Sequence, residues 1–333
     1  MIARGQQRLP SDVDVVALPK PRLTIVIPVR NRQELGERAL RSAVAQLVSP
    51  AEIVIVDDAS EPPFQIPAEL RSKQFIRILR HSDNRGAGFA RNTGIASAEA
   101  DWIAFLDSDD YWLPGTLPLR LESAEADFAV DRDPLAVHAA GFILESSLTR
   151  RMETRVPRES ADPLDFASAC WFAPGSTLLA RREVFDRVGP YDVELRRLED
   201  LDWFLRLALR GGRLKVWSKP AAVIDRESQF SGIHLTQAVA RLSQKYFTNG
   251  SPDRLPGKLA RRLRAYLNIE RATFCAGQKR WFGMLFYLGR SFCLVPRRTL
   301  HLARFWRFEA PPPNIAPAGD VGVRIKSGLF SGE

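Results

Sequence analysis

The first hundred residues of the chain are a series of short, unbroken apolar runs, each closing on polar or acidic residues. LTIVIPV (23–29), EIVIVDD (52–58), FIRIL (75–79) and DWIAFLD (101–107) all have this form. A continuous apolar run predicts a strand buried on both faces, whereas a half-exposed strand alternates. Between the first two runs Ala39, Leu40, Ala43, Val44 and Leu47 recur at helical spacing, and GAGFARNTGIASA (86–98) reads as a loop entering a small-residue helix. Strands alternating with helices predict βαβ units, and so an α/β fold with a mostly parallel sheet flanked by helices. Ligands gather at the carboxyl ends of strands in such sheets. Here three of those ends read PVRNR, DDAS and DSDD, which together form one polar mouth.

The second half is more mixed. AVHAAGFIL (136–144) and STLLA (176–180) read as strands joined by a Pro- and charge-rich connection, and LKVW (214–217) and AAVID (221–225) as two short strands. EDLDWFLRLALRGG (199–212) predicts a helix, since its acidic start and Gly stop agree with the helix dipole and with C-capping. From about 235 to 308 the pattern is helical. The polar, Pro-containing residues 1–21 read as a flexible leader and the Pro-rich 310–333 as a disordered tail.

Charge changes this picture in one place. Of the net +9, the stretch from Arg241 to Phe308 carries fifteen Lys/Arg against Asp253 and Glu270, a balance of +13 that leaves the rest at −4. The chain is therefore read as a mildly acidic domain followed by a basic extension, and concentrated basic charge suits a polyanionic neighbour. Aromatic residues interleave with the basic ones (Trp281, Phe282, Phe286, Tyr287, Phe305, Trp306), a pattern that fits either peripheral contact with an anionic membrane or a solvated cap on the main domain. Nucleic acid is not expected as a partner, because no reader motif accompanies the charge. The apolar stretch WFGMLFYLG (281–289) is bounded by Arg280 and Arg290 and is too short to span a bilayer. No signal-peptide core opens the chain, and Cys170, Cys275 and Cys293 form no CxxC pair, so a cytoplasmic location is expected, with any membrane contact peripheral and on the inner face.

Asp107, Asp109 and Asp110 stand together at the end of one buried strand. Like charges so close repel unless a cation lies between them. The alternative is an acidic turn in which Asp serves its own hydrogen bonding.

TIVIPVRNR, IVIVDDAS, NRGAGFARNTGIASAEADWIAFLDSDD and RLEDLDWFLRL follow, in order and spacing over roughly 22–230, the pattern of the GT-A fold inverting glycosyltransferases, the large group often called family 2. The resemblance implies a GT-A domain at 22–234, a basic helical extension at 235–309, and transfer of a sugar from a nucleoside diphosphate donor. It implies that Asp109 ligates Mn2+ or Mg2+, that Asp107 contacts ribose or a metal-bound water, and that Asp110 is a weaker candidate. A divalent cation with hard oxygen ligands would reconcile carboxylates with a diphosphate. Asp58 resembles the residue that accepts the N3–H of uracil, although a carboxylate can also accept from guanine. Pro28, Val29 and Asn31 would wrap the nucleoside through their backbone, and Arg91, with Arg85 behind it, would contact ribose or diphosphate. Asp200 matches the base that deprotonates the acceptor hydroxyl in a single in-line displacement, with Glu199 in support. Both acids also suit a helix start whatever the function.

One departure stands out. The loop DRESQFSGIH replaces the family's histidine-bearing loop, so only His234 is available as a further metal ligand, and its spacing is off. The acceptor implied is a saccharide or lipid-linked saccharide. Two other readings compete. A sugar-phosphate nucleotidyltransferase would need a Gly-rich basic loop after the first strand, which PVRNR is not. A catalytically degenerate transferase fold serving as a membrane-associated scaffold would be favoured by loss of the acids, yet Asp58, Asp109 and Asp200 are in place.

Overall fold

A computed structural model of the chain describes residues 22–46, 51–146, 149, 151–225, 232–296 and 305–309. The expected leader, Leu47 and the expected tail lie outside the described residues.

In chain order the elements are β1 (Leu23–Val29), α1 (Gln33–Val44), β2 (Ala51–Asp57), a 3-10 turn (Ala68–Leu70), β3 (Ile76–Arg80), α2 (Ala87–Ser97), β4 (Trp102–Phe105), β5 (Tyr111–Trp112) and α3 (Thr116–Asp131). There follow β6 (Ala136–Glu145), β7 (Met152–Pro157), α4 (Pro163–Phe166), α5 (Pro174–Thr177), β8 (Leu179–Arg181), α6 (Arg182–Val188), α7 (Glu199–Leu209) and β9 (Arg213–Asp225). The last are α8 (Gly232–Phe247), α9 (Gly257–Gly277), α10 (Trp281–Leu294) and β10 (Trp306–Glu309).

The strands form one mixed sheet in the order β10-β7-β6-β8-β4-β1-β2-β3. The segment β3-β2-β1-β4 is parallel throughout. Chain order runs outward from β1 to β3 and then returns to the other side of β1, so β1 and β4 flank a switch point, the place where open α/β sheets bind ligands. The unbroken apolar runs are explained by helices on both faces. Leu23, Ile25 and Ile27 enter one core with α1 and α3, while Val26 enters the other with α7 and the C-terminal helices.

Beyond β4 the sheet is mixed, with β4–β8, β8–β6 and β6–β7 antiparallel and β6–β9 parallel. β8 pairs with β4, and β6 shares one edge with β8 and β7 and the other with β9. The two short strands read at 214–217 and 221–225 are one long strand, β9, with a register irregularity where it passes Gly141 of β6. STLLA begins as a helical turn and becomes a strand only at Leu179. The connection after β6 contains β7, whose sequence METRVP lacks an apolar run because it lies toward the sheet edge.

The C-terminal helices attach to the sheet through α7. Fully buried Asp202 of α7 accepts from Arg206, from Lys245 Nζ at 2.7 Å and from Tyr246 Oη at 2.7 Å, which ties α8 to α7. The last described residues form a strand and not the expected helix. β10 adds antiparallel to β7, with Phe305 stacked on Trp171 at a ring separation of 4.7 Å. No helix among the described residues is long and apolar enough to cross a membrane.

Candidate active site

The carboxyl ends of β1, β2 and β4, the start of α2, the start of α7 and one face of α9 enclose a cavity of about 700 Å³. Pro28, Val29, Asp58, Arg91, Asp107, Asp109, Glu199, Asp200 and His234 all line it. Two of the expected residues do not. Asn31 sits beside the cavity at a positive φ of 51°, where its side chain accepts from Glu61 N–H and orders the neighbouring loop. The Arg85 guanidinium lies over the Phe89 ring at 3.6 Å and meets the site only through its backbone.

Asp58 is buried and acts first as a latch. Its Oδ1 accepts Arg85 N–H at 2.8 Å and faces His81 Nδ1 at 2.8 Å, and its Oδ2 accepts Gly86 N–H at 2.7 Å. Gly86 has φ +87° and lies against Arg196, so this turn into α2 requires glycine. Asp58 thus joins the end of β2 to the loop before α2 and still presents an acceptor edge to the cavity. Its neighbour Asp57 turns away. It accepts from Ser60 and Phe64 N–H and from Arg80, and although burial raises its pKa these bonds outweigh that and bring it down.

Arg91 is the centre of the arrangement. It projects from α2 with 3% of its side chain exposed, and donates to Asp107 Oδ1 at 2.8 Å, Glu199 Oε1 at 3.2 Å and Asp200 Oδ1 at 3.5 Å. Burial alone would lower its pKa, but the three carboxylates outweigh burial and hold it well above the ordinary value. One guanidinium therefore joins the acid at the end of β4 to the two acids that open α7, elements about a hundred residues apart in the chain.

The Asp107 carboxylate owes its seat to Gly175. A Cβ there would lie 1.9 Å from Asp107 Oδ2 and 3.0 Å from Arg91 Nη2. Gly175→Ala is expected to leave the fold intact, since only a side-chain terminus must move, yet to swing Asp107 off Arg91. Unchanged melting temperature with at least about a tenfold loss in kcat/KM would be the expected pair of readings, because misplacement of about 1 Å is costly at a reacting centre.

The three aspartates after β4 separate into different settings. Asp109 faces the cavity and pairs with Arg32 at 2.8 Å. Burial, Asp107 and Asp225 raise its pKa while Arg32 opposes, so the loop carries surplus negative charge. Asp110 is buried, accepts from Ser176 and from Asp225 N–H, and stays outside the cavity lining, holding β9 against the loop. Among the described residues no three His, Cys, Asp or Glu side chains converge as a preformed metal cage. Of the three aspartates on this loop Asp107 and Asp109 reach the cavity, which His234 also lines.

Asp200 lies at the N-terminus of α7, where the dipole favours a carboxylate. Enclosure and the nearby charges of Glu199 and Asp107 outweigh Arg91 and push its pKa up to about 7, while 24% of its side chain remains open to the cavity. Leu198 immediately before α7 has φ +62°, an uncommon conformation for a bulky residue. Cys170 also lines the cavity, but burial and the adjacent Asp200 and Glu199 carboxylates hold it as a thiol and remove it as a nucleophile.

The sequence pattern missed several residues here. Arg32, Arg196, Arg197, Tyr266 and Glu270 line the cavity, and Glu270 accepts from Arg197 at 2.7 Å and from Tyr266 Oη at 2.6 Å. Arg32 stands inside PVRNR at the polar mouth and Arg196–Arg197 form a basic doublet beside LED, so these three left a local signal. Tyr266 and Glu270 come from α9, and nothing local marks them.

The model of the family described as "Glycosyl transferase family 2" matches residues 24–189, about half the chain and the part that holds β1 through α6. The chain belongs to glycosyl transferase family 2. Proteins similar to it include the "Pre-mycofactocin glycosyltransferase" of Mycobacterium tuberculosis, 31% identical over 242 residues, an alignment covering 69% of this chain and 46% of that protein. Succinoglycan biosynthesis protein ExoO of Rhizobium meliloti is 31% identical over 202 residues, covering 59% of this chain and 58% of ExoO. The alignment thus spans about half the length of each of these relatives. Among solved structures, S. aureus TarS residues 1–349 in complex with UDP-GlcNAc superposes with a TM-score of 0.55 at 20% identity, covering 84% of this chain and 82% of that one. That likeness shows the fold, a GT-A type α/β architecture.

Proposed function

We propose that the chain is an inverting glycosyltransferase that moves a sugar from a nucleoside diphosphate donor, UDP-linked by preference, to a hydroxyl of a saccharide or lipid-linked saccharide. The observation that carries this reading is the Arg91 junction, in which the donor-side Asp107 and the two acids of α7 face one cavity through a single guanidinium. The UDP-GlcNAc complex of TarS supports the choice of donor class by fold analogy.

The nucleoside lies between Pro28–Val29 and Asp58, whose free lone pairs accept an imide N–H. Arg32, Arg196 and Arg197 also line the cavity and supply positive charge for a diphosphate. Asp107 and Asp109 would hold Mn2+ or Mg2+ together with substrate phosphate oxygens, a donor set that suits a hard cation carried by one or two carboxylates plus phosphates. Burial, with Asp107 and Asp225 close by, raises the Asp109 pKa, and a bound cation would favour its charged form. When bound, the metal supplies charge stabilisation for the departing nucleoside diphosphate. Asp200 takes the proton of the acceptor hydroxyl as its oxygen attacks the anomeric carbon, and the bond from that carbon to the phosphate oxygen breaks on the opposite side. Glu199 stays paired with Arg91 and helps to hold Asp200 in place.

Thermal unfolding with UDP, GDP and ADP, each with and without Mn2+, tests the donor site. A ligand that binds only the folded state stabilises it by about 2.7 kcal/mol at a hundredfold excess over Kd. The expected result is a shift with UDP that grows with Mn2+, and an Asp109→Ala variant that folds but loses the metal-dependent part. A shift with GDP alone would change the donor. No shift with any nucleotide, together with no release of UDP from UDP-sugars, would favour a binding scaffold.

A further inference from the structure

The helix α10 is apolar nearly all round, and such a helix is ordinarily buried. Its inner side packs on α9, with Ser291 fully buried and Met284, Tyr287 and Leu288 half-buried. Among the described residues nothing covers its outer side. Trp281, Phe282, Leu285, Phe286 and Phe292 are all exposed, Phe282 to 92%. At roughly 100° per residue these five fall within one arc of about 140° along the outward face. Five large apolar side chains on one exposed arc are a patch, not scattered surface residues.

The rim of this patch is cationic. Lys279, Arg280 and Arg290 flank it and are exposed, and the guanidinium of Arg290 lies 5.6 Å from the Phe286 ring centre. Exposed Arg254, Lys258, Arg261 and Arg264 continue the charge along α9. Between Arg254 and Pro296 the one acidic residue is Glu270, and its carboxylate is turned to the cavity, held by Arg197 and Tyr266.

We propose that α10 is an interfacial helix that lays Trp281, Phe282, Leu285, Phe286 and Phe292 into an anionic lipid surface. The chemistry favours lipid over other occupants. An apolar arc beside basic residues matches acyl chains beneath anionic headgroups. A second copy of this chain would bring like charges together with no acid on either face to pair them. A nucleic acid would satisfy the arginines and leave the aromatic arc in water. The proposal does not rest on the catalytic reading, although it bears on it. Tyr266 and Glu270 of α9 line the cavity, and α10 packs directly on α9, so the docked helix would hold the cavity one helix from the bilayer, within the setting of a lipid-linked acceptor.

The test is co-sedimentation of the full chain, without substrate, with vesicles of phosphatidylglycerol mixed into phosphatidylcholine and with vesicles of phosphatidylcholine alone. Binding is expected to the anionic vesicles and to weaken with added salt. Phe282→Ser combined with Phe286→Ser removes two exposed rings and should weaken vesicle binding at least about tenfold while leaving the circular dichroism and melting temperature unchanged. Arg280→Glu with Arg290→Glu should abolish the preference for anionic vesicles. Failure of the parent to sediment with anionic vesicles, or equal binding by the double Phe variant, would overturn the proposal. A parent dimer in sedimentation velocity that the Phe variant breaks, without vesicle affinity, would overturn it too and make the arc an interface between copies.

Discussion

Asp200→Asn is expected to lower kcat by about 10³-fold, within the range that a positioned general base supplies, while the nucleotide-induced thermal shift stays at the parent value. The amide is nearly isosteric and keeps an oxygen toward Arg91 Nη1, so loss of binding would point to a donor role instead. The parent should carry a pH signature as well. Burial and two neighbouring acids set Asp200 at about 7 in the free protein, and a base acts only when deprotonated. The sign follows directly. kcat/KM should rise with pH through about 7 and level off above it, and the residual activity of the Asn variant should lack that limb. Steady-state kinetics from pH 5.5 to 9 with UDP release as the readout would show this. A flat parent profile would remove Asp200 from the role of base.

Arg91→Met is expected to be the most damaging single change to both stability and turnover. It withdraws one buried cation from three carboxylates, and breaking such a pair by removing one partner costs on the order of 3–5 kcal/mol. The lower end applies here, about 3 kcal/mol, because Asp107 and Asp200 keep partial access to the cavity and its water. Asp200 already stands raised to about 7 by burial against the pull of Arg91, and without that cation it would rise further, so the deficit should grow as pH rises above about 4 and shrink on acidification. Denaturant midpoints at pH 5 and pH 8 would show it. Arg91→Lys should recover part of the stability and little of the turnover, because one ammonium cannot reproduce the planar fork that meets Asp107 on one nitrogen and Glu199 on the other. A neutral effect of Met on stability would mean that the acids, and not the guanidinium, hold the junction.

The two halves of the chain were unequally legible. In the first half, strands buried on both faces write themselves as apolar runs, and their ends write the polar mouth, so β1 to β4 and the acids at 58, 107 and 109 could be read locally. In the second half β7 lies toward the sheet edge and β9 changes register midway, and neither leaves a clean period. The Asp triplet shows the same divide. Its three carboxylates look alike in sequence, yet one is bound to Arg91, one is paired with Arg32 at the cavity, and one is buried against Ser176.

Several assignments needed coordinates because their cause is distance in space between residues remote in the chain. Gly175 had no local reason to matter, and its role appears only when Asp107 is found where its Cβ would be. Arg85 and Arg91 are six apart on one segment, but α2 turns one onto Phe89 and the other into the junction. The bare face of α10 is a similar case, since a uniformly apolar helix does not say which side its neighbour covers.

By itself the sequence determined the α/β class and the parallel core, because periodicity and strand-end chemistry are local properties written in order, and it pointed to the family through four motifs that resemble the family pattern. The tertiary structure alone decided which acids share a cation, which arginine supplies it, and which wall α9 lends to the cavity. Those outcomes depend on through-space charge and steric contact, and neither follows from order along the chain.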